Sequence, residues 1–222
     1  ANEATEKRVW AYFNMLREYI TVDDVVSATI VMKMVTDKCD PNDDPQKIFY
    51  TMKDVAGRNG IKEPYDDEKK CYEAFRIILE MDVDIEQLIR SADRGKTGML
   101  FVPDVLVPEY TKHITETTQS VLIANCESFM PHLGEIISGH PECHFTITTQ
   151  LTTIMTALEY KFKEWENVSI KEANIYRFEF MTQKFDLILC LPAFGGRMLG
   201  DERQMFMCRE YDMIALENLA LH

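Results

Sequence analysis

Three short runs stand where a nucleotide-type ligand would be held, and most of their side chains are not the ones its chemistry asks for. The first, Asn125-Cys126-Glu127-Ser128-Phe129-Met130, comes directly after an apolar stretch. A nucleotide cofactor normally meets glycines at such a place, because a side chain blocks close approach of the backbone and strains the tight turn. Here no glycine occurs until Gly134. The second is Gln150, which ends a run of β-branched residues where an acid would ordinarily accept hydrogen bonds from ribose hydroxyls. An amide can bond one hydroxyl, but it brings no charge. The third is Leu191-Pro192-Ala193-Phe194-Gly195-Gly196. Phe194 can stack on a planar ring, whereas Leu191 can neither donate nor accept a hydrogen bond.

A second chemistry to weigh is metal binding. Cys126, His132, His140, Cys143 and His144 could be read as a zinc site of mixed thiolate and imidazole ligands. The set lacks the paired Cys-x-x-Cys clips that fix such sites, so the expectation is buried cysteines and surface histidines, with no metal ligand assigned. No Gly-x-Ser-x-Gly elbow, full Gly-x-x-x-x-Gly-Lys-Ser/Thr phosphate loop or His-Glu-x-x-His is present, which leaves hydrolase, nucleotidase and zincin readings without support.

The elements that position these residues change character along the chain. The first 90 residues predict helices. Val9, Phe13, Leu16 and Ile20 recur at helical spacing with Trp10 on the flank, and Thr21 then offers an N-cap with Asp24 three residues on. A second helix carries Val25, Val26, Ile30, Val31, Met34 and Val35. Asp44-Pro45 opens a third with Ile48, Phe49, Met52 and Val55, closed by Gly57 and Gly60. A fourth holds Tyr72, Phe75, Ile78 and Leu79, and a short fifth comes after Asp84. Polar residues and glycines from Ser91 to Gly98, then Pro103 and Pro108, place a domain boundary near residue 95.

Beyond that boundary the period shortens. Ser120 to Asn125, Phe145 to Gln150, Val168 to Ile170 and Phe185 to Leu191 read as strands, with a helix carrying Leu151, Ile154, Met155, Leu158, Phe162 and Trp165 between the second and third. Strands alternating with helices predict a parallel sheet, whose ligand crevice lies at the carboxyl ends of its strands. The three runs named at the outset all stand at such ends. The expected organisation is therefore α/β, with a helical domain over residues 1–95 and a Rossmann-like sheet domain over residues 96–222.

The last strand and its loop carry a resemblance. Phe185-Asp186-Leu187-Ile188-Leu189-Cys190-Leu191-Pro192-Ala193-Phe194-Gly195 resembles the F-D-x-I-x-x-N-P-P-F-G motif of adenine-specific DNA methyltransferases, nearest in pattern to the modification subunits of type I restriction systems. Gly98-Met99-Leu100-Phe101-Val102-Pro103 is similar to their G-x-F-Y-T-P segment, and the N-terminal helices to the helical domain that precedes catalysis there. The resemblance implies that Leu191, Pro192 and Phe194 stand at the catalytic positions. It implies that Phe101, Pro103, Asn125, Glu127, Gln150 and Asn174 stand around the S-adenosylmethionine site. It also implies that Phe194 is placed to stack on a flipped base.

Departures from the family pattern shape the functional expectation. Leu191 replaces the residue that bonds the target amino group, and the glycine loop and ribose-binding acid are gone. One lost hydrogen bond removes only about 0.5–1.5 kcal/mol net; the loss of all these groups together should abolish useful S-adenosylmethionine binding. The expectation is a degenerate methyltransferase-like scaffold or interaction module that needs no cofactor. The alternatives are an active S-adenosylmethionine-dependent DNA methyltransferase with a noncanonical cofactor loop, and a metal-binding regulatory domain.

Charge and length bound the partners. The net charge is −13, with 22 acids against 15 bases in residues 1–110 and 15 against 9 in residues 111–222. Neither half is a basic footprint for phosphates, so DNA binding is expected to be weak or to occur only within a complex. Scattered cysteines, a polar N-terminus and no long apolar run lead us to expect a soluble, cytoplasmic protein that does not enter membranes. Met213 to His222 resembles a family helix that leads to later strands. Hence the expectation of either a longer natural chain or a sheet edge covered by a protein partner or a second copy.

Overall fold

The computed structural model describes residues 3–19, 21–93, 99–173 and 183–191. The chain forms two compact units, Ala1–Asp93 and Arg94–His222.

The first unit is helical: α1 (Glu3–Met15), α2 (Val22–Lys38), α3 (Pro45–Arg58), α4 (Glu68–Glu80) and α5 (Ile85–Asp93). Local chemistry sets where three of them begin. The side chains of Thr21, Asp44 and Asp67 accept from the backbone N–H of Asp24, Gln46 and Lys70, which satisfies donors that the first helical turn leaves unpaired. The stop after α3 differs from expectation. Gly57 lies within the helix, and only Gly60, at φ +63°, takes the left-handed backbone that turns the chain away.

Val25, Val31, Met32 and Val35 of α2, Ile48, Met52 and Val55 of α3, and Cys71, Ala74, Phe75 and Ile78 of α4 form one core. The face that α1 turns to it departs from the expected stripe. Tyr12 and Leu16 are buried, whereas Trp10 is 69% exposed and Phe13 is also exposed. Val9 and Ile20 lie outside the described side chains. The physical reason is polar: the Tyr12 hydroxyl is hydrogen-bonded to buried Thr29, whose own hydroxyl donates to the Val25 carbonyl at 2.8 Å. That bond turns α1 so that Tyr12 replaces Phe13 against α2.

The second unit holds a four-stranded sheet: β1 (Ser120–Ala124), β2 (His144–Thr149), β3 (Val168–Glu172) and β4 (Leu187–Cys190). Every pairing is parallel and the order is β3-β2-β1-β4. Short helices α6 (Val107–Thr111) and α7 (Leu133–Ser138) lie before and after β1 in the chain. The helix α8 (Thr152–Lys161) leads from β2 to β3 and packs against both. Val121 to Ala124 are all buried, as a central strand covered on both faces requires.

The last strand is shorter than its apolar run suggests, because Asp186 is used for anchoring. Its carboxylate accepts from the backbone N–H of Gln119 at 2.8 Å and of Ser120 at 3.1 Å, and its own N–H donates to Ser120. This latch stands at the start of the register that runs from Val121 opposite Leu187 to Ala124 opposite Cys190. Among the described residues β4 pairs along one edge only, and Ile188 on it is 57% exposed. No described helix is long and apolar enough to cross a membrane.

Candidate functional site

Successive strands step outward in opposite directions from β1: the chain passes to β2 and β3 on one side and to β4 on the other. At such a reversal the loops leaving neighbouring strands diverge, and a crevice opens at their carboxyl ends. Asn125, Gln150 and Leu191 each stand directly after a strand there. Since Ala124 pairs with Cys190, Asn125 and Leu191 are the next residues on adjoining strands.

Asn125 adopts φ +49°, ψ +59°, and no other non-glycine among the described residues has a positive φ. A left-handed turn directly after β1 is what a glycine would supply. Asparagine is the side chain that tolerates it best. The turn thus takes this bend without a glycine. The next residues fill space: Cys126, Phe129 and Met130 are fully buried, and Ser128 nearly so, within a 3-10 turn over Cys126–Phe129 and its cap.

Two further contacts close this region. The Val102 N–H donates to the Ser128 carbonyl at 2.7 Å, which brings the Phe101–Pro103 segment onto the loop after β1. Tyr110 of α6 meets Phe129 edge to face, with ring centroids 5.2 Å apart. The segment holding Phe101 and Pro103 thus meets the turn holding Asn125 and Glu127 through Val102 and Ser128; the family resemblance had set all four around one site. Gln150 is exposed at the end of β2, and Leu191 is half-buried at the end of β4. Pro192, Phe194 and Asn174 lie outside the described residues.

Glu127 is the one acid in this crowded loop. Burial pushes its carboxyl above the usual carboxylate range, opposed by hydrogen bonds from its own backbone, from Thr149 at the end of β2 and from the Cys126 thiol. The thiol lies 3.8 Å from Glu127 Oε2. Thr149 is fully buried, and its hydroxyl also accepts from the Leu151 N–H at 3.1 Å. Sequence reasoning missed Thr149, since a threonine within a β-branched run reads as strand filler.

The histidines and cysteines of the sequence-level metal reading are spent separately. His132 Nε2 lies 2.9 Å from Asp104 Oδ1, and its Nδ1 lies 3.2 Å from Glu135 Oε2. Partial burial lowers its affinity for a proton, but the hydrogen bonds and charges of Asp104 and Glu135 outweigh this and raise its pKa. His140 Nδ1 bonds the Ile136 carbonyl, His144 Nε2 bonds the Ser169 hydroxyl, and the Cys143 thiol donates to the Thr118 carbonyl. Among the described residues no three His, Cys, Asp or Glu side chains are grouped to hold a metal ion. Cys39, Cys71, Cys126, Cys143 and Cys190 are thiols outside any disulfide, and burial pushes Cys190 up to about 11 and Cys71 up to about 12.

Family models, curated proteins and solved structures yield no match to this chain.

The geometry must therefore carry the functional reading. Two hollows among the described residues are lined by residues other than those at the carboxyl ends of the strands. One, of about 550 Å³, lies between residues Pro141–His144 and Glu164–Asn167, at the amino ends of β2 and β3. The other, of about 390 Å³, belongs to the helical unit and is lined by Asn14, Met15, Arg17, Glu18, Tyr65, Lys70 and Glu73.

Proposed function

We propose that the sheet unit is a Rossmann-like, methyltransferase-type scaffold that has lost methyl transfer and acts as an interaction module. The observation that carries this reading is the packed turn after β1. Cys126, Phe129 and Met130 are fully buried where a nucleotide cofactor needs open backbone, while Asn125 keeps the left-handed bend that such a loop requires. The parallel order β3-β2-β1-β4 supports the same reading, since it sets a crevice beside β1. Leu191, at the first position of the N-P-P-F-like loop, has no group to draw on a target amine.

The partner face in this reading includes β4, which offers Ile188 and an edge unpaired among the described residues. Either a protein or a second copy suits it better than DNA, given a net charge of −13. Titration calorimetry of the whole chain with S-adenosylmethionine tests the proposal. We expect no heat of binding at micromolar concentrations; a micromolar Kd would overturn it.

An active methyltransferase is the second reading, and Glu127 favours it. Its carboxyl bridges toward Thr149 across the ends of β1 and β2, where an acid could accept from a ribose hydroxyl. The same titration decides between the two.

A further inference from the structure

Beside the turn after β1, one side chain is set between two carboxylates. His132 stands at the N-cap of α7, yet its ring makes no cap bond there. Instead Nε2 lies 2.9 Å from Asp104 Oδ1 and Nδ1 lies 3.2 Å from Glu135 Oε2, with the histidine side chain 20% exposed. Asp104 comes from the 3-10 turn Asp104–Leu106 and Glu135 from α7, and these are the charged groups that act on the imidazole. Such an arrangement selects one protonation state. A neutral imidazole carries a single N–H, so its other nitrogen would turn a lone pair toward a carboxylate oxygen, whereas the imidazolium donates to both.

The pairing with Asp104 holds a segment that has little else buried. In residues 101–106 Val102 is 1% exposed, but residues 103–106 are all exposed, Val105 to 82%. Polar ties therefore count for more here than packing. One is the Val102 N–H on the Ser128 carbonyl at 2.7 Å, and another is Asp104 on His132. His132 is itself fixed to the turn, since its N–H donates to the Phe129 carbonyl at 2.8 Å. Both ties thus fasten one strap to one turn, and of the two only the second titrates. Beyond the strap, α6 is held by the ring contact of Tyr110 with Phe129.

We propose that His132 is a pH-sensitive clasp: as an imidazolium it fastens the strap, residues 101–106, to the turn after β1, and on losing its proton it lets go of Asp104 so that the strap lifts. The clasp acts on the strap whether or not the crevice binds a cofactor, so it does not rest on the loss of methyl transfer proposed above. Burial of the ring works against its charge, but the hydrogen bonds and charges of Asp104 and Glu135 prevail and raise its pKa. The clasp is therefore fully closed below the ordinary histidine value of about 6.5 and opens as pH rises through the higher folded value. Asp104 and Glu135 are well exposed, so water screens both charges and the effect is modest.

Amide hydrogen exchange and an imidazole NMR titration of the whole chain test this from about pH 5.5 to about pH 8.5, the span in which a histidine changes charge. Corrected for intrinsic rates, protection of the Val102 amide should fall roughly three- to tenfold across that span. The Phe162 amide, which donates to the Leu158 carbonyl at the end of α8, should keep its protection. Asp104→Asn, at an exposed position, gives the ring a neighbour that can donate to a bare nitrogen. In that variant Val102 protection should no longer depend on pH, and the His132 ring should titrate lower than in the parent. Three results each refute the clasp: Val102 protection that is flat with pH in the parent, a pH dependence that survives in Asp104→Asn, or a parallel loss at Phe162, which would mark a change in global stability instead.

Discussion

Glu127 is the residue whose chemistry is most at odds with its surroundings. A carboxyl pushed upward by burial is more comfortable protonated in the folded chain than in the unfolded one. Its contribution to stability is full below the unfolded value of about 4.3 and is lost as pH rises through the higher folded value. At neutral pH, then, this buried carboxyl weighs against the folded state. Glu127→Gln should raise stability at pH 7 by roughly 1–3 kcal/mol, the scale of burying an ill-satisfied polar group, and the gain should vanish near pH 4. Urea denaturation at the two pH values checks this. A variant less stable at pH 7 would mean that Thr149 and Cys126 fully support the charge. Neither partner was legible in the sequence: Cys126 is a chain neighbour, but Thr149 comes from the next strand, and only the register of the sheet brings it near.

Among the elements, β4 shows how a motif residue acquires a structural task. The resemblance placed Asp186 in an F-D-x-I pattern, which said nothing of the two backbone amides it would accept from. Those bonds hold its carboxyl below the usual range, so the latch is present above the unfolded value of about 3.9 and is lost as pH falls through the folded one. Asp186→Ala should speed hydrogen exchange at the Gln119 and Ser120 amides. Exchange at Ala173, whose N–H is bonded to the Thr149 carbonyl at the other edge of the sheet, should be unchanged. Comparable exchange rates in parent and variant would show that strand pairing alone sets the register. The strands themselves were readable because β-branched and apolar runs need no distant partner to declare themselves. The helix stripe of α1 misled, since Tyr12 at its edge reaches a hydroxyl on α2 that the one-helix pattern cannot contain.

At the scale of the whole molecule, the two units each have their own interior, and the core of the helical one, with Met32, Met52, Phe75 and Ile48, is built of residues from that unit. Residues 1–93 expressed alone should therefore give a helical circular dichroism spectrum and a cooperative melt. A broad, non-cooperative transition would show that the unit depends on the rest of the chain. The sequence by itself determined the helical first unit, the parallel order of elements after it, the N-caps at Thr21 and Asp44, and the absence of a glycine after β1. Each of these rests on spacing or on side-chain chemistry confined to a few neighbouring residues. Only the tertiary structure decided that the turn after β1 is packed shut, that the five cysteine and histidine candidates answer to separate partners, and that the Tyr65 hydroxyl is buried with no hydrogen-bond partner among the described residues. Those outcomes depend on which distant side chains share a space. No local pattern encodes that, because burial and hydrogen-bond satisfaction are properties of the packed whole.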